Sequence, residues 1–277
     1  MPVFIPSSLS EATSLLAEHP TAHLITGGTD FMVEVSFNHR HPETVISLRK
    51  IPDMQLWNID KASGVVFIGA SVPYATMEQG ELADALPALA EAARTVGSPQ
   101  IRAAGSIGGN LGTCSPAGDS LPVLAALNAS VHLRSSDAER TLPFSEFMIG
   151  PKRNAKKPDE VITGVSIPMT NGWQGYAKVG VRNAMVISVA SVCLAIHDKT
   201  VRVALGSVGP TIIRCSDAES WINSQDITAI DDSVAVEFGN RVSQESRPID
   251  DHRSTAEYRR HAVGVLATRL LQRGTNA

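Results

Sequence analysis

Ile25-Thr26-Gly27-Gly28-Thr29-Asp30 and Ser106-Ile107-Gly108-Gly109-Asn110, the latter with Asp119 downstream, are the stretches from which the fold is read. Each follows or interrupts an apolar run, so each reads as a tight turn at the end of buried structure. A glycine pair carries no Cβ atoms to hold a neighbour off. Such a turn can present several backbone N–H groups to one anion at close range. Two of them suit the two phosphates of a dinucleotide, approached from opposite sides. Neither a Walker loop nor a Rossmann fingerprint occurs in the chain.

The surroundings of the first stretch alternate helix and strand. Ser8-Leu9-Ser10-Glu11 is a capping-box pattern, and Leu9, Ala12, Leu15 and Leu16 follow on one helical face. His19-Pro20 stops that helix, Ala22 to Ile25 is a short strand, and Val45 to Leu48 is another. This predicts a small parallel α/β unit over residues 1–52. Leu56–Asp60 and Val65–Ala70 then form a hairpin, and Pro87–Val96 a helix with proline in its first turn. Gly97 to Gly112 reads as a long small-residue segment between two helices, either a surface loop or a functional backbone laid flat against something. A short helix from Leu121 and strands Ser130–Arg134 and Glu160–Ile167 complete a second unit, residues 53–170.

Residues 171–277 change pattern. Tyr176–Arg182, Val186–Ile196 and Val201–Val208 read as three strands, the last two turning at Asp198-Lys199. Helices follow Pro210, the last opened by Ser254-Thr255-Ala256-Glu257. The expected fold is therefore α+β: a binding domain over 1–170 and a C-terminal domain of a three-stranded antiparallel sheet with helices.

Composition narrows the function. The 277 residues are 43% hydrophobic and 19% charged, with net charge −4. That balance argues against a nucleic-acid partner or an anionic membrane surface. Lys152-Arg153 and Lys156-Lys157 form an isolated basic cluster rather than a stripe. The N-terminus has no basic segment leading into an apolar one, and the apolar run Met185–Ile196 is too short to insert in a bilayer. The cytoplasm is the expected compartment. Cys114, Cys193 and Cys215 are far apart, with no CxxC, so an iron–sulfur cluster would have to belong to a partner.

Few residues suggest chemistry of their own. Asp119 is either a helix N-cap or an acceptor for ribose hydroxyls, and Asp30 is either the cap of a helix from Phe31 or a ligand contact. Lys178 is either a solvated strand lysine or a charge beside a redox ring. His39 and His41 read as solvated, Cys114 as a packing residue, and no Gly-x-Ser-x-Gly nucleophile elbow is present. No catalytic residue and no metal ligand is assigned. A chain without acid–base or nucleophilic machinery suits a protein whose cofactor carries the reaction.

Taken together, Gly27-Gly28-Thr29-Asp30, Gln100-Ile101-Arg102, Ser106 to Asn110, Ser115-Pro116-Ala117-Gly118-Asp119, Asp159 to Ile162, Lys178 and Gly209-Pro210 through Glu219 resemble the FAD-binding medium subunit of molybdenum hydroxylases. That family includes xanthine dehydrogenases and aerobic carbon monoxide dehydrogenases, and the resemblance is nearest to bacterial xanthine dehydrogenase FAD-binding subunits. It implies a two-subdomain FAD-binding fold of the vanillyl-alcohol-oxidase type. It also implies roles: Leu24, Ile25, Thr26, Gly27, Gly28, Thr29 and Asp30 would wrap the FAD pyrophosphate with Ser106, Ile107, Gly108, Gly109 and Asn110. Asp119 would bind a ribose or ribityl hydroxyl, Ile162 would pack near the adenine, and Lys178, Ile187 and Ser188 would lie near the isoalloxazine.

The implied partners are a small subunit with 2Fe–2S clusters and a large molybdopterin subunit, in a dimer of heterotrimers. NAD or another acceptor would take the electrons. Thr26 stands where the family often has alanine, and Asn183 near where many relatives carry an acidic residue. A self-sufficient flavin oxidase or reductase on the same fold is the rival reading, and a non-catalytic nucleotide-binding module a third.

Overall fold

The computed structural model describes residues 2–276. Its first sheet is parallel, with β1 (Val3–Phe4), β2 (His23–Ile25) and β3 (Val45–Ser47) in the order β1-β3-β2. Parallel neighbours need crossovers, and α1 (Leu9–Glu18) and α2 (Phe31–Ser36) supply them. Ser8 caps α1, its Oγ accepting from Glu11 N–H at 3.1 Å. The Glu11 carboxylate accepts from Ser7 N–H at 2.7 Å, so the capping box closes one residue earlier than its usual register.

The second sheet is antiparallel, with β4 (Trp57–Asp60), β5 (Val65–Gly69), β6 (Ser130–Arg134), β7 (Glu139–Pro143) and β10 (Val161–Pro168) in the order β4-β5-β10-β6-β7. Between its strands lies the small hairpin β8 (Met148–Gly150) and β9 (Arg153–Asn154). Alternation sets the faces: Val131 and Leu133 of β6 are buried, while Ser130, His132 and Arg134 are half-exposed. The buried face is covered by helices inserted between β5 and β6: α3 (Tyr74–Met77), α4 (Gly80–Ala85), α5 (Pro87–Thr95), α6 (Pro99–Ala104), α7 (Ile107–Thr113) and α8 (Leu121–Ala126). A further turn, α9 (Phe144–Phe147), follows β7.

Two expectations are corrected here. The stretch Gly97–Gly112 is not an extended loop: most of it is α6 and α7, each capped by a serine. The second glycine pair therefore lies in the first turn of a helix and is not a tight turn. The edge strand β7, Glu-Arg-Thr-Leu-Pro, has too little apolar character to be seen in advance.

The third sheet is antiparallel, β11 (Gln174–Val179), β12 (Ala190–His197), β13 (Thr200–Gly206) and β14 (Ile213–Arg214) in that order. It has four strands rather than three, because two residues, Ile213 and Arg214, pair with Leu205 and Ala204. The β12–β13 turn is as expected, with Asp198 and Lys199 both left-handed, φ 46° and 67°. Residues 180–189, partly expected as strand, form a loop with Met185 at φ 51°. One face of this sheet packs on α10 (Ser216–Ile222), α11 (Asp232–Glu245) and α12 (Ala256–Thr275). Gly239 and Gly264 bring α11 and α12 together, since a Cβ at Gly239 would sit 2.5 Å from the Gly264 carbonyl oxygen. No described helix is long and apolar enough to cross a membrane.

Candidate cofactor site

A cavity of about 630 Å³ opens where the first sheet, the helical layer and the 180–189 loop meet. Its volume lies within the usual range of small-molecule sites. The first glycine stretch forms one wall. Gly27 lies flat on the end of α6, where a Cβ would stand 1.9 Å from the Ala104 carbonyl oxygen. Gly28 turns the chain at φ +67°. No protein acceptor among the described residues meets the N–H groups of Thr26, Gly27, Gly28, Thr29 or Asp30. Residues 26–29 are half-buried and Asp30 is exposed, so these amides are free to donate to a ligand or to water. Asp30 stands at the N-cap position of α2 but caps no amide; its Oδ2 accepts from Thr113 Oγ1 at 3.1 Å.

The second stretch contributes differently. Ser106 caps α7, its Oγ accepting from Gly109 N–H at 3.2 Å, and Gly108 N–H donates to the Ala70 carbonyl at 2.9 Å. Two amides expected to face an anion are thus already engaged. A Cβ at Gly108 would lie 2.4 Å from Ala70 Cβ, whereas at Gly109 the nearest atom would be Ser106 Oγ at 3.4 Å. Gly108 allows close packing and Gly109 leaves open space. Asn110 is braced by Ser120, whose hydroxyl donates to its Oδ1 at 2.7 Å.

Asp119 is buried, and Ser120 rather than Asp119 holds the N-cap position of α8. Its Oδ1 accepts from the Tyr176 hydroxyl at 2.8 Å and its Oδ2 from Lys178 Nζ at 2.7 Å. Burial pushes its carboxyl above the usual carboxylate range, opposed by the Lys178 charge and by hydrogen bonds from Lys178 and Tyr176. Lys178 is not a solvated strand lysine. Its ammonium is buried and also donates to the carbonyls of Thr95 at 2.9 Å and Val186 at 3.2 Å. The lysine thereby fixes Val186, which lines the cavity with Met185 and Ile187. The adjacent Ser188 is buried, with an Oγ that finds no partner among the described residues.

Of the residues singled out in the sequence, Leu24 through Asp30, Ser106, Gly108, Gly109, Asn110, Asp119 and Ile162 line the cavity. Ile107 lies in the core beneath it, and Lys178 stands behind Asp119. Sequence reasoning missed a charged edge. Glu34 accepts from Lys152 Nζ at 2.6 Å and from Arg40 Nε at 2.7 Å, and Arg40 lies 3.1 Å from His23 Nδ1. The only prior signal was the basic cluster at Lys152, whose partner on α2 is 118 residues away. The cavity thus joins bare amides, apolar walls such as Leu48, Met54 and Ile162, and a buried carboxylate. This donor set fits a long dinucleotide with a diphosphate at its middle. Among the described residues, no group of three or more metal-ligating side chains gathers.

Fold and cavity together define a dinucleotide-binding α+β protein. Residues 1–170 match the family described as FAD binding domain in molybdopterin dehydrogenase, and residues 176–273 match the CO dehydrogenase flavoprotein C-terminal domain. The chain belongs to the FAD-binding subunits of molybdenum hydroxylases, which are oxidoreductases. It is 31% identical over 276 residues to the nicotine 6-hydroxylase medium subunit of Paenarthrobacter nicotinovorans, covering 96% of this chain and 94% of that one. It is 25% identical over 287 residues to a xanthine dehydrogenase FAD-binding subunit of Escherichia coli, covering 98% and 94%. Among solved structures, carbon monoxide dehydrogenase from Hydrogenophaga pseudoflava, in a form lacking the Mo-pyranopterin moiety, superposes with a TM-score of 0.91. Identity there is 25%, covering 99% of this chain and 96% of that one.

Proposed function

We propose that this chain is the electron outlet of a three-subunit molybdenum hydroxylase. FAD held by this chain would supply redox chemistry able to link one-electron iron–sulfur donors on a small partner to NAD or another acceptor. The substrate would be oxidised on a large molybdopterin subunit, in a dimer of heterotrimers in the cytoplasm. The observation that carries this reading is the run of unpartnered amides from Thr26 to Asp30 on the wall of a cavity that suits a dinucleotide.

In this reading those amides hold the diphosphate, and Gly109 leaves room for it from the α7 side. Asp119 accepts from a ribose or ribityl hydroxyl with the lone pairs that Tyr176 and Lys178 leave free. Ile162 supplies an apolar surface for the adenine. Lys178 would act beside the isoalloxazine by holding Val186, with Ile187 on the cavity wall offered to the ring and Ser188 buried next to it. Residues 1–170 form the FAD-binding domain, with subdomains about 1–52 and 53–170, and residues 171–277 the C-terminal domain.

Co-expression with candidate small and large subunits tests this. The purified complex should carry flavin in proportion to this chain, read by absorbance after protein denaturation. Gly109→Trp should cut that content by about tenfold or more while leaving the complex assembled. A wild-type complex that contains all three chains but no flavin would refute the assignment.

A further inference from the structure

The element that follows the glycine stretch is weakly packed. α2 has no buried residue, and Met32, Val33 and Phe37 are at least half exposed. Left-handed residues bound it, Gly28 at φ +67° and Asn38 at φ 59°. An element with little buried apolar area opens at low free energy. Side chains of neighbouring elements that also line the cavity hold it instead. Thr113 Oγ1 donates to Asp30 Oδ2 at 3.1 Å, and Lys152 Nζ donates to Glu34 Oε1 at 2.6 Å.

Their anchors are fixed. Thr113 ends α7, and Lys152 is the tip of the β8–β9 hairpin, at φ 54° with its N–H donating to the Cys114 carbonyl at 3.0 Å. Glu34 is oriented from its other side by Arg40, whose guanidinium lies over the Phe31 ring at 5.4 Å. Asp30, Glu34, Thr113 and Lys152 all line the cavity.

We propose that α2 is a hinged flap over the cavity, and that the Glu34–Lys152 ion pair, with Asp30–Thr113 beside it, latches the flap shut over the cofactor. The unpartnered amides of Thr29 and Asp30 lie between the Gly28 hinge and α2, so opening the flap withdraws part of the grip on the diphosphate. The proposal rests on the FAD reading. The latch sets how fast the cofactor leaves, not what it does once bound. Its strength depends on salt, because Lys152 is more than half exposed and its attraction to Glu34 is screened.

The test uses the assembled, flavin-loaded complex and follows release by the rise of free-flavin fluorescence after dilution. Glu34→Gln and Lys152→Met should each speed release by about 1.5- to fivefold, the range open to a partly exposed ion pair. The double variant should release no faster than the faster single one, because both substitutions break the same contact. Amide hydrogen exchange over Phe31–Ser36 should quicken in all three variants while that over Leu9–Glu18 does not. Faster release in Lys152→Met alone, with Glu34→Gln unchanged or slower, would mean that Lys152 serves the ligand directly and would overturn the latch. Bound flavin with unchanged release in every variant overturns the latch and leaves the FAD reading standing. A wild-type complex that never takes up flavin overturns both.

Discussion

Gly108 and Gly109 are neighbours in one helical turn, yet their absent side chains serve different ends. A methyl group at Gly108 would strike Ala70 Cβ at 2.4 Å and the Ala70 carbonyl oxygen at 2.6 Å. A methyl group at Gly109 would meet nothing nearer than 3.4 Å within the protein. Gly108→Ala is therefore expected to cost roughly 2 kcal/mol of stability through overpacking, whereas Gly109→Ala leaves the flavin-free protein at least as stable, with up to about 1 kcal/mol gained from helix propensity, and weakens flavin binding. Thermal melts without flavin and flavin titrations on both variants separate the two effects; the same stability loss in both would refute the distinction. The sequence marks this pair as important but hides the division of labour, because only the fold brings Ala70 against α7. The same holds for Asp119 and Lys178. Each was legible as a candidate, but their contact spans 59 residues and leaves no trace in local spacing.

At the scale of elements, periodicity and capping residues carried most of the information. The parallel first sheet, the β4–β5 hairpin and the β12–β13 turn are all written in local pattern. The second glycine stretch does not announce its helix, because glycine disfavours helix by about 1 kcal/mol relative to alanine. Ser98 and Ser106 outweigh that locally as caps, and Ile107 and Leu111 bury themselves in the core. The segment entering β10 shows a further device that no motif announces. Glu160 is buried and accepts from Arg140 through both oxygens, at 2.6 and 2.8 Å, and from Lys157 N–H at 2.7 Å. The Arg140 hydrogen bonds foremost, then the Lys157 N–H, hold its carboxyl below the ordinary value of 4.5. A group whose folded pKa is depressed stabilises above its unfolded pKa and loses that contribution as pH falls through the folded value. Glu160→Gln should therefore cost about 2 kcal/mol at neutral pH, and the gap from the wild type should narrow below pH 4.5. Urea midpoints measured across that range check it, and a gap independent of pH would count against the ion pair.

At the scale of the whole molecule, the third sheet is shared property. Val192 and Leu194 of β12 face the core made with α10, α11 and α12, while Cys193 and Ala195, alternating with them, belong to the core of the second sheet and its helices. Polar clips reinforce the seam. Glu91 on α5 accepts from Tyr176 N–H at 2.7 Å and from Arg273 on α12. Arg214 bonds Glu219 on its own side and donates to the Ala125 carbonyl and Asn128 Oδ1 across it, at 2.9 and 2.7 Å. The buried Asp119–Lys178 pair crosses the same seam, and separating its partners would leave an uncompensated buried charge. Neither half can then unfold without stripping the other of part of its core and its ion partners. Calorimetry of the isolated chain should therefore give one unfolding transition, with an enthalpy of roughly 190 kcal/mol near 60 °C and agreement between calorimetric and van't Hoff values. Saturating FAD should move that single transition upward as a whole, because the ligand binds only the folded state. Two resolved transitions, or a shift confined to part of the heat absorption, would mean that the seam does not couple the halves, and that the Asp119–Lys178 pair opens before the protein unfolds.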